Sequence, residues 1–91
     1  MTTTTDIQTI EQPIREFIAV NLLYTEGFAY GDDTSFLREG IIDSLGVVEL
    51  VAFVQKQFGI TVTQNEVTPD NFDSVARLAA FVRNKLAANK S

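Results

Sequence analysis

Hydrophobic residues recur at helical spacing in three stretches of the chain, and none of these stretches shows the two-residue alternation of a strand. The first stretch runs from about Asp6 or Thr9 to Leu23. Its apolar positions are Ile7, Ile10, Ile14, Phe17, Ile18 and Leu22. Proline is well tolerated only in a first helical turn, so Pro13 predicts that the firmly helical part begins near Gln12.

A second amphipathic helix is predicted from Ser44 to Phe58, and Gly59 can adopt the left-handed conformation that ends a helix. Its buried face is expected to consist of Val47, Leu50, Val51, Val54 and Phe58.

The last part of the chain predicts a short helical turn at residues 68–72 and a final helix that runs to about Ala88. Either Asp73 or Ser74 is expected to cap the final helix, because both side chains can accept a hydrogen bond from a backbone N–H. The buried stripe of this helix is expected to consist of Val75, Leu78, Ala79, Val82 and Leu86.

Residues 24–42 contain three glycines and two adjacent acids, which indicates a long loop rather than an element. Its apolar residues predict an ordered crossover attached to the core. These residues are Phe28, Phe36, Leu37, Ile41 and Ile42. The predicted fold is therefore all-α: a small four-helix bundle of three long helices and one short helix, with a long loop between the first and second helices. The 91-residue chain is expected to form one domain over residues 6–88, with tails at 1–5 and 89–91.

Charge and composition narrow the possible functions. Residues 1–49 hold nine acids and two bases, a net charge of −7, whereas residues 50–91 hold three acids and five bases, a net charge of +2. This distribution argues against a nucleic-acid partner and favours a partner with a basic surface. Without cysteine or histidine, the chain has no disulfide, no thiolate and no usual zinc ligand or general base. We expect neither metal binding nor enzymatic activity.

The amino-terminal residues resemble no signal peptide, and no apolar run approaches the length of a membrane span. We therefore expect a cytoplasmic monomer that has no membrane partner.

Ser44 stands at the predicted start of the second helix. A cap is the simplest role for a serine there. The neighbours of Ser44 favour an attachment point, since a cap alone does not explain Gly40, the apolar Ile41-Ile42, Asp43 directly before it and Leu45 directly after it. The helix N-terminus also favours an anionic group attached at the hydroxyl. On a different side of this helix from the core face, Leu45, Val48 and Ala52 form an apolar streak beside Glu49 and Lys56. The streak is either a partner surface or packs under the long loop.

Asp43-Ser44-Leu45 resembles the acyl carrier protein family, whose modified serine lies in an Asp-Ser-Leu motif that opens the second helix of a four-helix bundle. The resemblance covers nearly the whole chain. It includes Val48-Glu49-Leu50, Phe58-Gly59-Ile60, Glu66 and Phe72-Asp73-Ser74-Val75.

The resemblance implies that a phosphopantetheinyl transferase, using coenzyme A and magnesium, joins 4′-phosphopantetheine to Ser44 through a phosphodiester. The thiol of this arm would hold an acyl or aminoacyl group as a thioester, loaded by a ligase and passed to downstream transferases or synthases. By position in the motif, basic partner residues would bind Asp43 and Glu49, and Leu45 and Val48 would make apolar contacts. Phe72 would border the arm.

Two departures from the fatty-acid carriers suggest a specialised pathway. Gly46 follows the motif where an acidic or polar residue is common, and Gln55-Lys56-Gln57 replaces the acids that usually end the helix. Gly46 either permits a close approach or is merely tolerated near a helix start. The cargo is open between an amino acid, an aryl acid and a fatty acid.

Three other interpretations concern the whole chain, the acidic residues of the crossover and the space between the helices. The chain could be an unmodified acidic helical interaction module in which Ser44 is only a cap. Asp32, Asp33 and Glu39 lack the alternating ligands of a calcium loop, so we interpret them as a solvated acidic turn. Five apolar residues could line a cleft between the helices that holds the cargo, or they could simply belong to a packed core. The residues proposed to line that cleft are Val51, Val54, Phe58, Val62 and Phe81.

Overall fold

A computed structural model describes residues 10–89 of the chain, so the tail at 1–5 and the predicted helix start before residue 10 lie outside the described residues. Five α-helices are present in this range, together with a π-helical turn at Ile18–Leu22 and a 3₁₀ turn at Gln64–Glu66. The α-helices are α1 (Glu11–Phe17), α2 (Phe36–Glu39), α3 (Ser44–Phe58), α4 (Pro69–Phe72) and α5 (Val75–Asn89). The described chain contains no strand, which confirms the all-α prediction.

Helix α1 begins at Glu11, which places Pro13 in the first turn, where its missing N–H would have no helical partner. The predicted start near Gln12 is therefore confirmed to within one residue. After Phe17 the helix widens into the π turn, and the N–H of Leu23 donates to the carbonyl of Ile18 at 2.9 Å. The hydrophobic spacing did not predict this wider winding.

The crossover between α1 and α3 was predicted to be a loop throughout. This prediction is wrong for residues 36–39, which form the one-turn helix α2. The Ser35 side chain caps α2 by accepting the N–H of Arg38 at 3.1 Å. Gly40 ends the turn with a φ of +64°, a conformation that glycine adopts without a steric penalty. The glycines and acids around this segment obscured the serine cap in the sequence.

Asp73 ties α2 to the start of α5. Its backbone carbonyl accepts the N–H of Phe36 at 2.7 Å, and its carboxylate accepts the N–H of Leu37 at 2.9 Å and the hydroxyl of Ser35. Ser74 instead caps α5, by accepting the N–H of Arg77 at 3.1 Å. Asp73 therefore binds the first turn of α2, and its neighbour Ser74 caps α5.

Asp32 holds the first half of the crossover against α1. Arg15 donates to both of its carboxylate oxygens, at 2.8 Å and 2.6 Å, and this hydrogen bonding lowers the pKa of Asp32. The carbonyl of Asp32 also accepts the N–H of Ala76 at 2.9 Å. The prediction of a solvated acidic turn is thus wrong for Asp32, because the carboxylate is an anchor. Within the part of the chain that the structure describes, no group of carboxylates could hold a metal ion.

The core combines the predicted stripes of α1, α3 and α5 with residues from the crossover. Phe17 of α1 stacks on Phe53 of α3, with ring centroids 4.3 Å apart. Arg83 of α5 donates two hydrogen bonds to Glu11, at 2.7 Å and 2.8 Å, which lowers the pKa of that carboxyl. The largest fully buried side chains are Ile14, Ile18, Leu50, Val54, Val75, Leu78 and Val82.

Two predicted boundaries are confirmed. Gly59 ends α3 with a φ of +68°, and Pro69 begins the short helix α4. Helix α5 extends one residue beyond the predicted Ala88. Among residues 10–89 there is no helix long and apolar enough to pass through a lipid bilayer.

Candidate attachment site

Ser44 is the first residue of α3, but it is not the cap. The carboxylate of Asp43 accepts the N–H of Gly46 at 2.8 Å, and its backbone carbonyl accepts the N–H of Val47 at 3.0 Å. Asp43 therefore caps the helix, and the simplest role proposed for Ser44 is wrong. The Ser44 side chain is left exposed at the positive end of a 15-residue helix.

The other two serines of residues 14–82 are engaged in the fold. Ser35 both donates to Asp73 and accepts from Arg38, and Ser74 is 3% exposed and caps α5. Ser44 is the exposed serine of the three. Its hydroxyl makes no hydrogen bond to the described part of the chain and is open to an approaching enzyme.

Gly46 permits a close approach within the first turn of α3. A Cβ atom added there would lie 2.7 Å from Cγ2 of Ile42 and 3.4 Å from Oδ1 of Asp43. Of the two interpretations of this glycine, close packing is the one that the structure supports. The absence of a side chain at position 46 leaves room for Ile42, which is buried two residues before Ser44.

The apolar streak of α3 faces outward. Leu45 is 65% exposed and Val48 is 64% exposed, so the alternative in which they pack under the long loop is wrong. Glu49 and Lys56 are exposed beside them. Leu45, Val48 and Glu49 are therefore available to a partner. Asp43 is exposed as well, and the hydrogen bond that caps the helix involves only its Oδ1 atom.

Phe72 lies in the core rather than on the surface, at 4% exposure, so it offers a partner almost no contact area. Its ring helps to line an apolar cavity of about 180 Å³ between α2, α3 and α4. Ile42 and Val47, two residues before and three residues after Ser44, also line this cavity. The cavity does not involve any of the five residues proposed for a cargo cleft, of which Val54 and Phe81 are buried in the core.

A second depression, of about 300 Å³, lies between the end of the first helix and the start of α3. We call it the Tyr24 groove. Its lining residues are Asn21, Leu22, Tyr24, Gly40, Ile41, Ile42, Asp43, Leu45, Gly46 and Glu49. Sequence reasoning missed Tyr24, which has a φ of +58° and is 84% exposed. A helix commonly ends with a residue in the left-handed conformation, usually a glycine. Because no glycine directly follows the first helix, the sequence could have indicated that another residue adopts this conformation.

A Thr-x-x-Glu sequence before α4 forms a capping box that was also missed. The carboxylate of Glu66 accepts the backbone N–H of Thr63 at 2.9 Å and pairs with Lys85 of α5 at 2.9 Å. The hydrogen bond from Thr63 and then that from Lys85 lower the pKa of Glu66. The pairing fixes the connection that leads into α4.

Comparison with known proteins assigns the chain to a protein family. The family described as "Phosphopantetheine attachment site" matches residues 14–82, which include α3 and the exposed Ser44. The chain belongs to this family. Its members carry covalently attached 4′-phosphopantetheine, so the chain is a carrier protein and not an enzyme, which confirms the resemblance. The family match also makes an unmodified interaction module the wrong interpretation.

The similar curated proteins are carriers of amino acids. The chain is 36% identical over 56 residues to a D-alanyl carrier protein of Abiotrophia defectiva, a match that covers 62% of this chain and 71% of that protein. It is 38% identical over 52 residues to D-alanyl carrier protein 1 of Lactiplantibacillus plantarum, covering 57% and 65% of the two chains. It is 36% identical over 47 residues to aminoacyl carrier protein 2 of Bradyrhizobium diazoefficiens, covering 52% and 53%.

A solved structure shares the fold. A chain in the crystal structure of an FAD-dependent dehydrogenase superposes with a TM-score of 0.68 and 35% sequence identity. The match covers 76% of this chain and 97% of that chain, so the other chain is itself of carrier size.

Proposed function

We propose that this phosphopantetheine carrier bears its arm on Ser44 and holds an aminoacyl group as a thioester. The observation that carries the assignment to Ser44 is the state of the three serines in residues 14–82. Ser35 and Ser74 are held by hydrogen bonds in the fold, and Ser44 is exposed. A modifying enzyme can reach Ser44 without unfolding the domain.

The environment of Ser44 suits a phosphodiester. Helix α3 presents its positive end at this residue, and a phosphate group there gains favourable electrostatic energy. Because the chain has no cysteine, the arm would supply the thiol that a thioester requires. The chain itself would position the arm and present the surface that partner enzymes recognise.

Two observations support a small cargo. The curated relatives are D-alanyl and aminoacyl carriers, and the apolar cavity near Ser44 has a volume of about 180 Å³. Sites that enclose a drug-sized ligand have volumes of about 300–1,000 Å³. The cavity is thus too small to enclose a long fatty acid, and the names of the relatives favour an amino acid on the arm.

Intact-mass measurement tests the attachment. Incubation with coenzyme A, magnesium and a broad-specificity phosphopantetheinyl transferase should add one phosphopantetheine group to the wild-type chain. Ser44→Ala should gain none, whereas the matched variants Ser35→Ala and Ser74→Ala should both be modified. An unmodified wild-type chain, or a modified Ser44→Ala chain, would refute the assignment.

The cargo can be tested on the modified protein. Amino-acid ligases supplied with ATP and individual amino acids should add an aminoacyl mass that hydroxylamine removes, because hydroxylamine cleaves thioesters. A fatty-acid ligase serves as the control and should load the chain poorly. Preferential loading with fatty acids would contradict the aminoacyl proposal and leave Ser44 as the attachment residue.

Leu45, Val48 and Glu49 are proposed as the contact surface for the transferase and the loading enzyme. All three side chains are exposed on the same helix as Ser44. Glu49 can pair with a basic partner residue, and the two apolar side chains can fill shallow pockets. Such a small interface favours rapid association and release, which a shuttle between enzymes requires.

The solved structure suggests a specific kind of partner enzyme for the same carrier. Since a chain of carrier size and similar sequence occurs in the crystal structure of an FAD-dependent dehydrogenase, a flavoenzyme that oxidises the carried group is a second candidate. Two hydrogens would leave adjacent carbons of the aminoacyl group, a double bond would form, and FAD would become FADH₂. Loss of the oxidised-flavin absorbance on mixing with the loaded carrier, and not with the free amino acid, would support this partner.

A further inference from the structure

The Tyr24 groove runs beside the attachment residue, because Asp43 and Leu45, the two chain neighbours of Ser44, both line it. Its far side is formed by Asn21, Leu22 and Tyr24 at the end of the first helix. Its volume of about 300 Å³ is at the lower end of the range for small-ligand sites. The groove is thus within reach of any group attached at Ser44.

Tyr24 is strained and exposed at the same time. With a φ of +58°, it occupies the left-handed region, which is unfavourable for a bulky side chain. A glycine would satisfy the backbone there, and burial of the ring does not compensate, since the residue is 84% exposed. The left-handed backbone at Tyr24 lets the N–H of Thr25 donate to the carbonyl of Ala19 at 2.7 Å and so ends the helix, but this role does not require a tyrosine ring. The exposed ring is therefore available to contact a group attached at Ser44.

We propose that the Tyr24 groove is a resting site for the pantetheine portion of the arm on Ser44. This inference rests on the proposed function. The pantetheine portion is neutral and alternates two amides with a dimethyl group and short methylene segments. The groove offers matching chemistry: Asn21 and Glu49 can hydrogen-bond the amides, and Leu22, Tyr24 and Leu45 can pack on the methyl and methylene groups.

Tethering makes a weak site sufficient. A group attached through a short flexible linker has an effective concentration of about 1 mM or more at nearby sites. An intrinsic dissociation constant of about 1 mM would therefore populate the groove for about half of the time, and a partner enzyme could still withdraw the arm. A site that bound the arm tightly would slow its transfer to partner enzymes. The shallow Tyr24 groove is expected to bind the arm weakly.

The apolar cavity between α2, α3 and α4 is the competing location. It is lined by Phe36, Val47 and Phe72 among others and is nearly free of polar surface, so the two amides of the arm would lose hydrogen bonds to water there. The groove at Tyr24 avoids that cost because it is lined by both polar and apolar groups.

Amide chemical shifts of the apo and phosphopantetheinylated proteins test the proposal. Besides the residues next to Ser44, the backbone amides of Leu22 and Tyr24 and the side-chain amide of Asn21 should shift on modification. Contacts between the arm's dimethyl group and the Tyr24 ring should appear as nuclear Overhauser effects. Shifts confined to the neighbours of Ser44, or located at Val67 and Thr68 beside the apolar cavity, would overturn the proposal.

Tyr24→Gly supplies a sharp variant, because glycine accepts the backbone conformation and the domain should unfold at the same or a higher temperature. Modification of this variant should shift the Asn21 side-chain amide at least twofold less than in the wild type. The matched control is Tyr30→Ala, which removes another exposed tyrosine and should leave the Asn21 shift unchanged.

Intact mass distinguishes failure of this inference from failure of the proposed function. If Ser44 gains no phosphopantetheine, the proposed function fails. If the group is added and the Asn21, Leu22 and Tyr24 signals do not move, the function stands and the groove is not the resting site.

Discussion

Ile42 lies so close to Gly46 that a Cβ atom on the glycine would be 2.7 Å from Cγ2 of the isoleucine. Cγ2 is attached directly to Cβ of a β-branched side chain, so it cannot swing away as the end of a flexible chain could. This contact allows the buried Ile42 and the exposed Ser44 to lie two residues apart at the start of α3. The glycine is therefore part of the structure of the site.

Gly46→Ala should lower the free energy of unfolding by roughly 1 kcal/mol. Overpacking against Ile42 costs about 1–3 kcal/mol, and the better helix propensity of alanine returns at most about 1 kcal/mol. Denaturant unfolding measures the difference. Ile42→Leu removes Cγ2, so the double variant should recover part of the loss.

Gly27→Ala is the matched control for this substitution, because nothing lies within 4 Å of its added Cβ atom. It should change stability by less than about 0.5 kcal/mol. If Gly46→Ala is as stable as Gly27→Ala, the close approach does not restrict position 46.

Asp73→Ala should destabilise the domain by about 1–3 kcal/mol, because it removes the carboxylate that accepts from Ser35 and from the N–H of Leu37. Hydrogen exchange at Leu37 should accelerate more than exchange within α3. Asp70→Ala is the control, since that side chain is 94% exposed and its nearest pairing with Arg77 is 3.4 Å long. Equal effects of the two substitutions would contradict an anchoring role for Asp73.

The domain should lose stability in acid. Hydrogen bonds from Arg15 lower the pKa of Asp32, and hydrogen bonds from Arg83 lower the pKa of Glu11. In acid the unfolded chain then binds more protons than the folded one. The stabilisation is therefore complete above the unfolded pKa values of about 4, and is lost as the pH falls through the lower folded values.

Urea unfolding between pH 7 and pH 3 measures this loss. Asp32→Asn should be less stable at pH 7 and should show a shallower decline in acid, because its contribution is already absent. A decline as steep as that of the wild type would show that Asp32 does not contribute to the acid sensitivity.

Glu49→Gln should slow phosphopantetheinylation severalfold at low salt and make the rate less dependent on ionic strength, because a charge that attracts a basic partner is lost. Val48→Ser should raise KM and leave kcat nearly unchanged. Steady-state kinetics with the broad-specificity transferase measures both. Glu26→Gln, in the crossover, is the matched control, and an effect as large as that of Glu49→Gln would indicate only a general charge effect.

Much of the fold could be predicted from the hydrophobic pattern. The bounds of α3 were predicted correctly, and so was the left-handed Gly59, because a 15-residue amphipathic run followed by glycine has few alternative conformations. The one-turn helix α2 was missed, since four residues are too few to show a period and the carboxylate that stabilises it comes from Asp73, 36 residues beyond Leu37.

Some features of the candidate site could likewise be predicted from the sequence, and others could not. Ser44 and its position at the helix start follow from local periodicity and from the motif. The sequence left open whether Leu45 and Val48 face outward or pack under the long loop, and the tertiary structure decided that both are exposed. The capping role of Asp43, the burial of Phe72 and the contact between Gly46 and Ile42 depend on backbone geometry and on packing between segments. A single sequence specifies periodicity along one helix, whereas contacts between distant segments appear only once the helices have packed.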